Sequence, residues 1–249
     1  MKMTNSILEH IRSLRKKGLA VLIDPDKVNE EQLEELILIS INAKVDFFLV
    51  GGSLINSDQL ENVVTKLKDV KSIPTILFPG NSQHISSEAD AILLLSLISG
   101  RNPEFLIGQH VIAAPALKRS GLEILSTGYM LVDGGRQTTA SYISNTTPLP
   151  HDKPDIAVAT AMAGEMLGHK LIYMDAGSGA EQTISAEMIS AVKKQLDIPL
   201  IIGGGINTPE KAEKAWQAGA DIIVIGNATE KEPGFITEVS KIAAEPSYK

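Results

Sequence analysis

Eight short runs of apolar, β-favouring residues recur along the chain: Leu19–Ile23, Phe47–Val50, Thr75–Phe78, Ala91–Leu95, Tyr129–Val132, Leu171–Met174, Leu200–Ile202 and Ile222–Ile225. They are continuous rather than alternating in hydrophobicity, the pattern of strands buried on both faces. Between most of them lie segments of helical periodicity: Glu30–Ile41, Asp58–Lys68, Pro154–Leu167, Ala186–Gln195, Pro209–Ala218 and Phe235–Ala243. Three of these carry start signals, with Asn29 before Glu30-Glu31, Ser185 before Ala186-Glu187 and Thr208 before Pro209-Glu210. Strand and helix in alternation mean parallel pairing and an α/β chain. No Pro-, Ser- and Gly-rich linker divides the 249 residues, so we expect a single domain over 1–249, a (β/α)8 barrel, which typically needs roughly 250 residues.

One interval breaks the alternation. Pro79–Asp90 (PGNSQHISSEAD) is too short for a crossover helix with a loop on each side. The third helix of the barrel is therefore expected to be reduced or missing. The irregular stretch Gln137–Pro154 reads as a long loop at a strand C-terminus, where barrel enzymes build their sites. At the other end, Ser6–Lys17 sets Ile7, Leu8, Ile11 and Leu14 on one helical face, as expected of a helix capping the barrel.

Several classes of function are excluded. Lys and Arg (23) are outnumbered by Asp and Glu (30), and basic residues do not cluster beyond Arg15-Lys16-Lys17. Nothing attracts a phosphodiester backbone, so no nucleic-acid partner is expected. With no cysteine, disulfides, thiolate metal sites and a cysteine nucleophile are out, and a reducing cytoplasm is the expected compartment. The longest apolar stretch, Ala91–Ser99, is far below the roughly 20 residues that span a bilayer. Membrane contact, if any, is peripheral.

The ends of the last three strands concentrate small residues: Tyr173-Met174-Asp175-Ala176-Gly177-Ser178-Gly179, then Gly203-Gly204-Gly205, then Gly226-Asn227. Glycine lets backbone N–H groups approach an anion, and the loops after strands seven and eight are the usual phosphate position of such a barrel. Tight strand-to-helix turns account equally well for any one of these clusters. Three on consecutive strands favour a bound phosphate. A dinucleotide fold is not indicated, because no Gly-x-Gly-x-x-Gly follows the first strand.

Across the same face, strand one runs into Asp24-Pro25-Asp26-Lys27 and strand two into Gly51-Gly52-Ser53. A carboxylate and a hydroxyl suit Mg2+, which takes few protein ligands and completes its octahedron with water and phosphate oxygens. Turn chemistry at Asp-Pro-Asp and helix capping by Ser53 explain the same residues as well. His84, His110, His151 and His169 are scattered without metal-ligand spacing and read as loop or surface residues.

Taken together, Leu22 to Lys27, Val50 to Ser53, Ile107-Gly108, Tyr142 to Thr146 with Pro148, Tyr173 to Ala180, Gly203 to Ile206 and Gly226-Asn227 closely resemble the geranylgeranylglyceryl phosphate synthase family, which also includes bacterial heptaprenylglyceryl phosphate synthases. The resemblance implies a modified TIM barrel lacking its third helix. It implies a prenyltransferase of phospholipid biosynthesis that joins sn-glycerol 1-phosphate to a long prenyl diphosphate, geranylgeranyl diphosphate first, through an ether. Residues matching Asp24 and Ser53 then bind Mg2+ and the donor diphosphate. Those matching Tyr173, Met174, Asp175, Ala176, Gly177, Ser178, Gly179, Gly204, Gly205, Gly226 and Asn227 hold sn-glycerol 1-phosphate.

The resemblance makes Asp175 the candidate base, although the family often has glutamate there. The shorter side chain either reaches the hydroxyl through water or a shifted substrate, or chiefly binds the glycerol hydroxyls while the leaving diphosphate accepts the proton. It also implies an apolar donor groove, for which Leu93–Ile98, Phe105-Leu106, Val111–Leu117 and the stretch after Arg136 are candidates, with Phe105 placed to limit chain length. A homo-oligomer is implied as well. Two other readings of the residues stand beside this one: a barrel enzyme acting on a sugar phosphate, and a catalytically silent protein that binds a phosphorylated ligand.

Overall fold

The computed structural model describes residues 6–14 and 17–244. Strands β1 (Gly18–Ile23), β2 (Phe47–Gly51), β3 (Thr75–Phe78), β4 (Ala91–Leu97), β5 (Glu123–Leu131), β6 (Leu171–Asp175), β7 (Leu200–Gly203) and β8 (Ile222–Ile225) close into a barrel in sequence order. Every pairing is parallel, including β8 back onto β1. Successive side chains in a strand face opposite ways, which divides the core in two. Phe47, Leu49, Ile76, Leu125, Tyr173 and Ile201 fill the barrel. Phe48, Leu77, Ile172, Met174 and Ile202 face the helix layer, where Leu67, Met188 and Ile236 meet them.

Helices α2 (Glu30–Asn42), α3 (Leu60–Lys68), α6 (Pro154–Met166), α7 (Ala186–Lys193), α8 (Pro209–Gln217) and α10 (Phe235–Ala244) lie close to their expected ranges. The three start signals are made as bonds, Asn29, Ser185 and Thr208 each accepting from the backbone N–H of the third helical residue. No helix lies between β3 and β4. In its place Asp90 ties the strand starts together, its carboxylate accepting from Thr75 N and its own N–H donating to Thr75 O.

The N-terminal helix α1 (Ile7–Ser13) is shorter than expected; Arg15 and Lys16 lie outside the described residues. Ile7 and Ile11 pack into the bottom of the barrel interior. Glu123, at the first position of β5, accepts from the N–H groups of Ile7 (2.6 Å) and Leu8 (3.0 Å) and from the Ser6 hydroxyl.

Several elements depart from the sequence expectations. Strand β5 begins at Glu123 rather than Tyr129, because Ser126, Thr127 and Gly128 interrupt its apolar run. A π-helical turn, Glu104–Gly108, leads into α4 (Gln109–Ser120), whose periodicity is hidden by Ala113, Ala114, Ala116 and an internal Pro115. The stretch 137–154 contains a short α5 (Thr139–Ser144) started by Thr138 and Ser141, which cap each other reciprocally; serine stands where a capping box usually has Glu or Gln. A five-residue α9 (Asn227–Lys231) follows β8. Among the described residues, no helix is long and apolar enough to cross a membrane.

Candidate active site

The C-terminal ends of β6, β7 and β8 form one side of the barrel mouth. Gly177, Gly179, Gly204 and Gly205 all take positive φ, between 70° and 89°. Gly204 also permits a close approach, since a Cβ there would sit 2.6 Å from both Asp175 Oδ1 and the Gly177 nitrogen. Among the described residues, the N–H groups of Ser178, Gly179, Gly204, Gly205 and Gly226 donate to no protein acceptor, whereas Ala176 N is spent on Gly203 O. Ser178 Oγ donates to Asn227 Oδ1 at 3.0 Å, joining the β6 and β8 loops. Met174 and Ala176 bury their side chains in the helix layer, so only their main chain reaches the mouth.

Asp175 closes the inside of β6 and is 8% exposed. Its Oδ1 accepts from Gly177 N at 2.7 Å and its Oδ2 from the Tyr129 hydroxyl at 2.6 Å. Burial raises the carboxyl above its ordinary range, and the bonds from Tyr129 and Gly177 pull it back down. Burial likewise raises the Tyr129 and Tyr173 phenols well above theirs, so both stay protonated. Tyr129 pairs with Tyr173 in the β5–β6 register, and their rings meet edge to face at 5.5 Å, with Phe78 against both. In the sequence Tyr129 opens a strand run and carries no sign of a role. Alternation within that strand puts Tyr129 and Leu131 on one face, the only signal that could have raised it.

On the β1 side, the two aspartates of Asp-Pro-Asp divide their work. Asp26 accepts from Asn56 N (2.7 Å) and Ser57 N (3.1 Å), anchoring the loop after β2, and these bonds lower its pKa. Asp24 accepts from Asp26 N at 3.1 Å and pairs with Lys27 Nζ at 3.2 Å; the same ammonium lies 3.4 Å from Glu230. The Asp24 carboxylate lies 3.5 Å from the point a Cβ on Gly52 would occupy, next to Ser53. Ser53 does not cap α3, which has Gln59 at its N-cap and no side-chain cap bond. Turn chemistry is thus realised at Asp24 and Asp26, and helix capping at Ser53 is not. Among the described residues no cluster of three or more His, Asp or Glu could cage a metal. A carboxylate at the end of β1 that reaches Gly52, the residue before Ser53, suits a Mg2+ ion that would draw its remaining ligands from water and phosphate oxygens.

An apolar groove with Ser53 in its wall lies along the gap left by the missing helix. Asn81, Ser82, Leu94, Leu95, Phe105, Ala113, Leu117 and Leu131 line it, as does Tyr129, whose hydroxyl links it to Asp175. Of the groove candidates from the sequence, Leu93 is core and Ile98 packs against Gly128 and Gly164. Val111 and Ile112 are exposed on the far side of α4, while Ala140 and Ile143 of α5 do line the groove. Of the four histidines, His84, His151 and His169 lie on loops as expected, and His110, on α4, does not. His84 is 9% exposed and accepts from Gly80 N, shaping the loop that replaces the helix. His110 lines the groove, and burial lowers its pKa. His169 pairs with Ser126 Oγ.

A model of the PcrB family matches residues 11–244. A geranylgeranylglyceryl phosphate synthase of Spirosoma linguale is 56% identical over 240 residues, 96% of this chain and 96% of that protein. One of Thermococcus kodakarensis is 44% identical over 223 residues, 89% of this chain and 88% of that protein. The crystal structure of (S)-3-O-geranylgeranylglyceryl phosphate synthase from Thermoplasma acidophilum in complex with its substrate sn-glycerol-1-phosphate superposes with a TM-score of 0.90 at 31% identity, covering 96% of this chain and 98% of that one. The 3-hexulose-6-phosphate synthase of Salmonella typhimurium (TM-score 0.63, 13% identity, 92% of this chain and 99% of that one) shares the fold alone. Matched over nearly its whole length by the family model and by relatives of high identity, the chain belongs to the PcrB family.

Proposed function

We propose that this protein is a Mg2+-dependent prenyltransferase that forms an ether between sn-glycerol 1-phosphate and a long prenyl diphosphate, geranylgeranyl diphosphate first, and releases diphosphate, a step of phospholipid biosynthesis. One observation carries the reading: a cradle of free main-chain amides and an apolar groove open onto the same mouth and meet at the Asp175–Tyr129 pair. A sugar-phosphate enzyme would use the cradle and leave the groove idle. The names of the relatives, and the sn-glycerol-1-phosphate bound by the Thermoplasma enzyme, support the same choice.

In this reading the amides of Ser178, Gly179, Gly204, Gly205 and Gly226 hold the acceptor phosphate, with Asn227 bracing the β6 loop through Ser178. Tyr173 lies under the mouth in the barrel interior, and Gly203 leaves room for it, since a Cβ there would sit 2.5 Å from its hydroxyl. Asp24 and Ser53 would hold Mg2+, which neutralises the diphosphate and makes it a better leaving group. The groove takes the prenyl chain, and Phe105 sets its length. Asp175 accepts the glycerol hydroxyl proton as the oxygen bonds to the allylic carbon.

The same reading places the enzyme in the cytoplasm as a homo-oligomer touching the membrane peripherally. The exposed apolar residues Ile107, Val111 and Ile112, on the π-helical turn and the outer side of α4, support such association, which light scattering with and without lipid vesicles would measure. The deciding experiment for the activity is incubation with Mg2+, sn-glycerol 1-phosphate or its enantiomer, and mixed prenyl diphosphates, read by mass spectrometry. We expect a prenylglyceryl phosphate ether that is lost on chelation. No ether from any combination would leave the sugar-phosphate and silent-binder readings standing instead.

A further inference from the structure

We propose that Tyr129 is a positioning residue for the proposed base, fixing the Asp175 carboxylate at the point where the acceptor cradle meets the donor groove. The inference rests on the prenyl-transfer reading and extends it to a residue outside the cradle and the metal pair. Three observations carry it. The Tyr129 hydroxyl donates to Asp175 Oδ2 at 2.6 Å in a buried pair. The other carboxylate oxygen is turned toward the β6 loop by Gly177 N at 2.7 Å. The Tyr129 ring lines the donor groove and packs on Phe78 and Tyr173, so it cannot follow the carboxylate if that group rotates.

The chemistry follows from the donor–acceptor inventory. Oδ1 faces the loop, so Oδ2 is the oxygen on the groove side, and Tyr129 occupies one of its two lone-pair directions. The remaining lone pair meets the glycerol hydroxyl. As the ether C–O bond forms, the hydroxyl proton passes to Oδ2, and the electron pair of the allylic C–O bond leaves with the diphosphate. Tyr129 stays a donor throughout, because its buried phenol does not ionise at neutral pH. The titratable groups facing Asp175 are Tyr129 from β5 and Tyr173 from β6; β7 presents only glycine backbone there.

The test uses the full chain and Tyr129→Phe, which removes one oxygen and keeps the ring in place. We expect kcat to fall about 10- to 100-fold with KM for the prenyl diphosphate within about twofold. The acid limb of the kcat–pH profile should move to higher pH, because a bond that holds the Asp175 pKa down is gone. Placed on Asp175→Asn, Tyr129→Phe should cost nothing further, since its effect passes through the carboxylate. Wild-type kcat in Tyr129→Phe, an unmoved acid limb, or full additivity in the double variant would overturn the proposal. Should the wild-type protein form no ether, the prenyl-transfer reading fails on its own. The pair is then judged by 13C NMR titration of the Asp175 carboxyl, expected to titrate higher in Tyr129→Phe, with equal titration in both proteins counting against it.

Discussion

Asp175 holds two opposed properties, a position suited to taking a proton and a burial that penalises its charge. With its pKa raised by burial, the folded chain keeps a proton that the unfolded chain has already lost. Stability therefore falls as pH rises through the ordinary carboxylate range and levels off above the folded pKa. Asp175→Asn removes that penalty and still accepts from Gly177. Its melting temperature at neutral pH should equal or exceed the parent's, by about 2–4 °C for each kcal/mol regained, with the gap closing in acid. Turnover should drop about 10²- to 10⁴-fold; near-normal turnover would remove the base role. Gly204→Ala is the corresponding test of the cradle. At φ +81°, with a Cβ 2.6 Å from Asp175 Oδ1, it should raise KM for glycerol phosphate more than about tenfold by displacing the loop. Asp175 and the glycines were legible in the sequence because they cluster at the ends of three consecutive strands. Tyr129 was not, because its role arises from pairing 46 positions away across the β5–β6 register.

At the scale of elements, the eight strands and six of the helices follow from periodicity and caps, and the missing third helix from simple length. The segments that build the groove were the ones periodicity could not reach. Helix α4 reads poorly because alanines and Pro115 dilute its apolar stripe, and α5 is started by a Thr–Ser pair rather than a familiar box. Both line the groove, so the part of the site that recognises the donor is also the part least visible in sequence. Phe105 sits on the π-helical turn that swings the chain from β4 into α4. Phe105→Ala should lengthen the prenyl diphosphates accepted, read as the mass distribution of ethers from a mixed donor pool. An unchanged distribution would remove Phe105 as the groove's stop.

Across the whole molecule, stability and chemistry are held at opposite ends of the barrel. The bottom is sealed by α1, whose opening N–H groups end on Glu123. Glu123→Ala leaves those part-buried donors without a partner, so unfolding should become easier by about 1–3 kcal/mol, seen as a lower melting temperature, with kcat unchanged because the mouth is untouched. The top has the opposite character. Strand β4 turns Ile92 and Leu94 outward into the groove where another barrel would lay a helix over them. Under the proposed function, the donor's hydrocarbon chain covers that opening, so a metabolite stands in for an element of secondary structure. A ligand present at 100 times its Kd adds about 2.7 kcal/mol to folding stability. The amount of enzyme that survives proteolysis would then rise and fall with the supply of the lipid precursor it consumes.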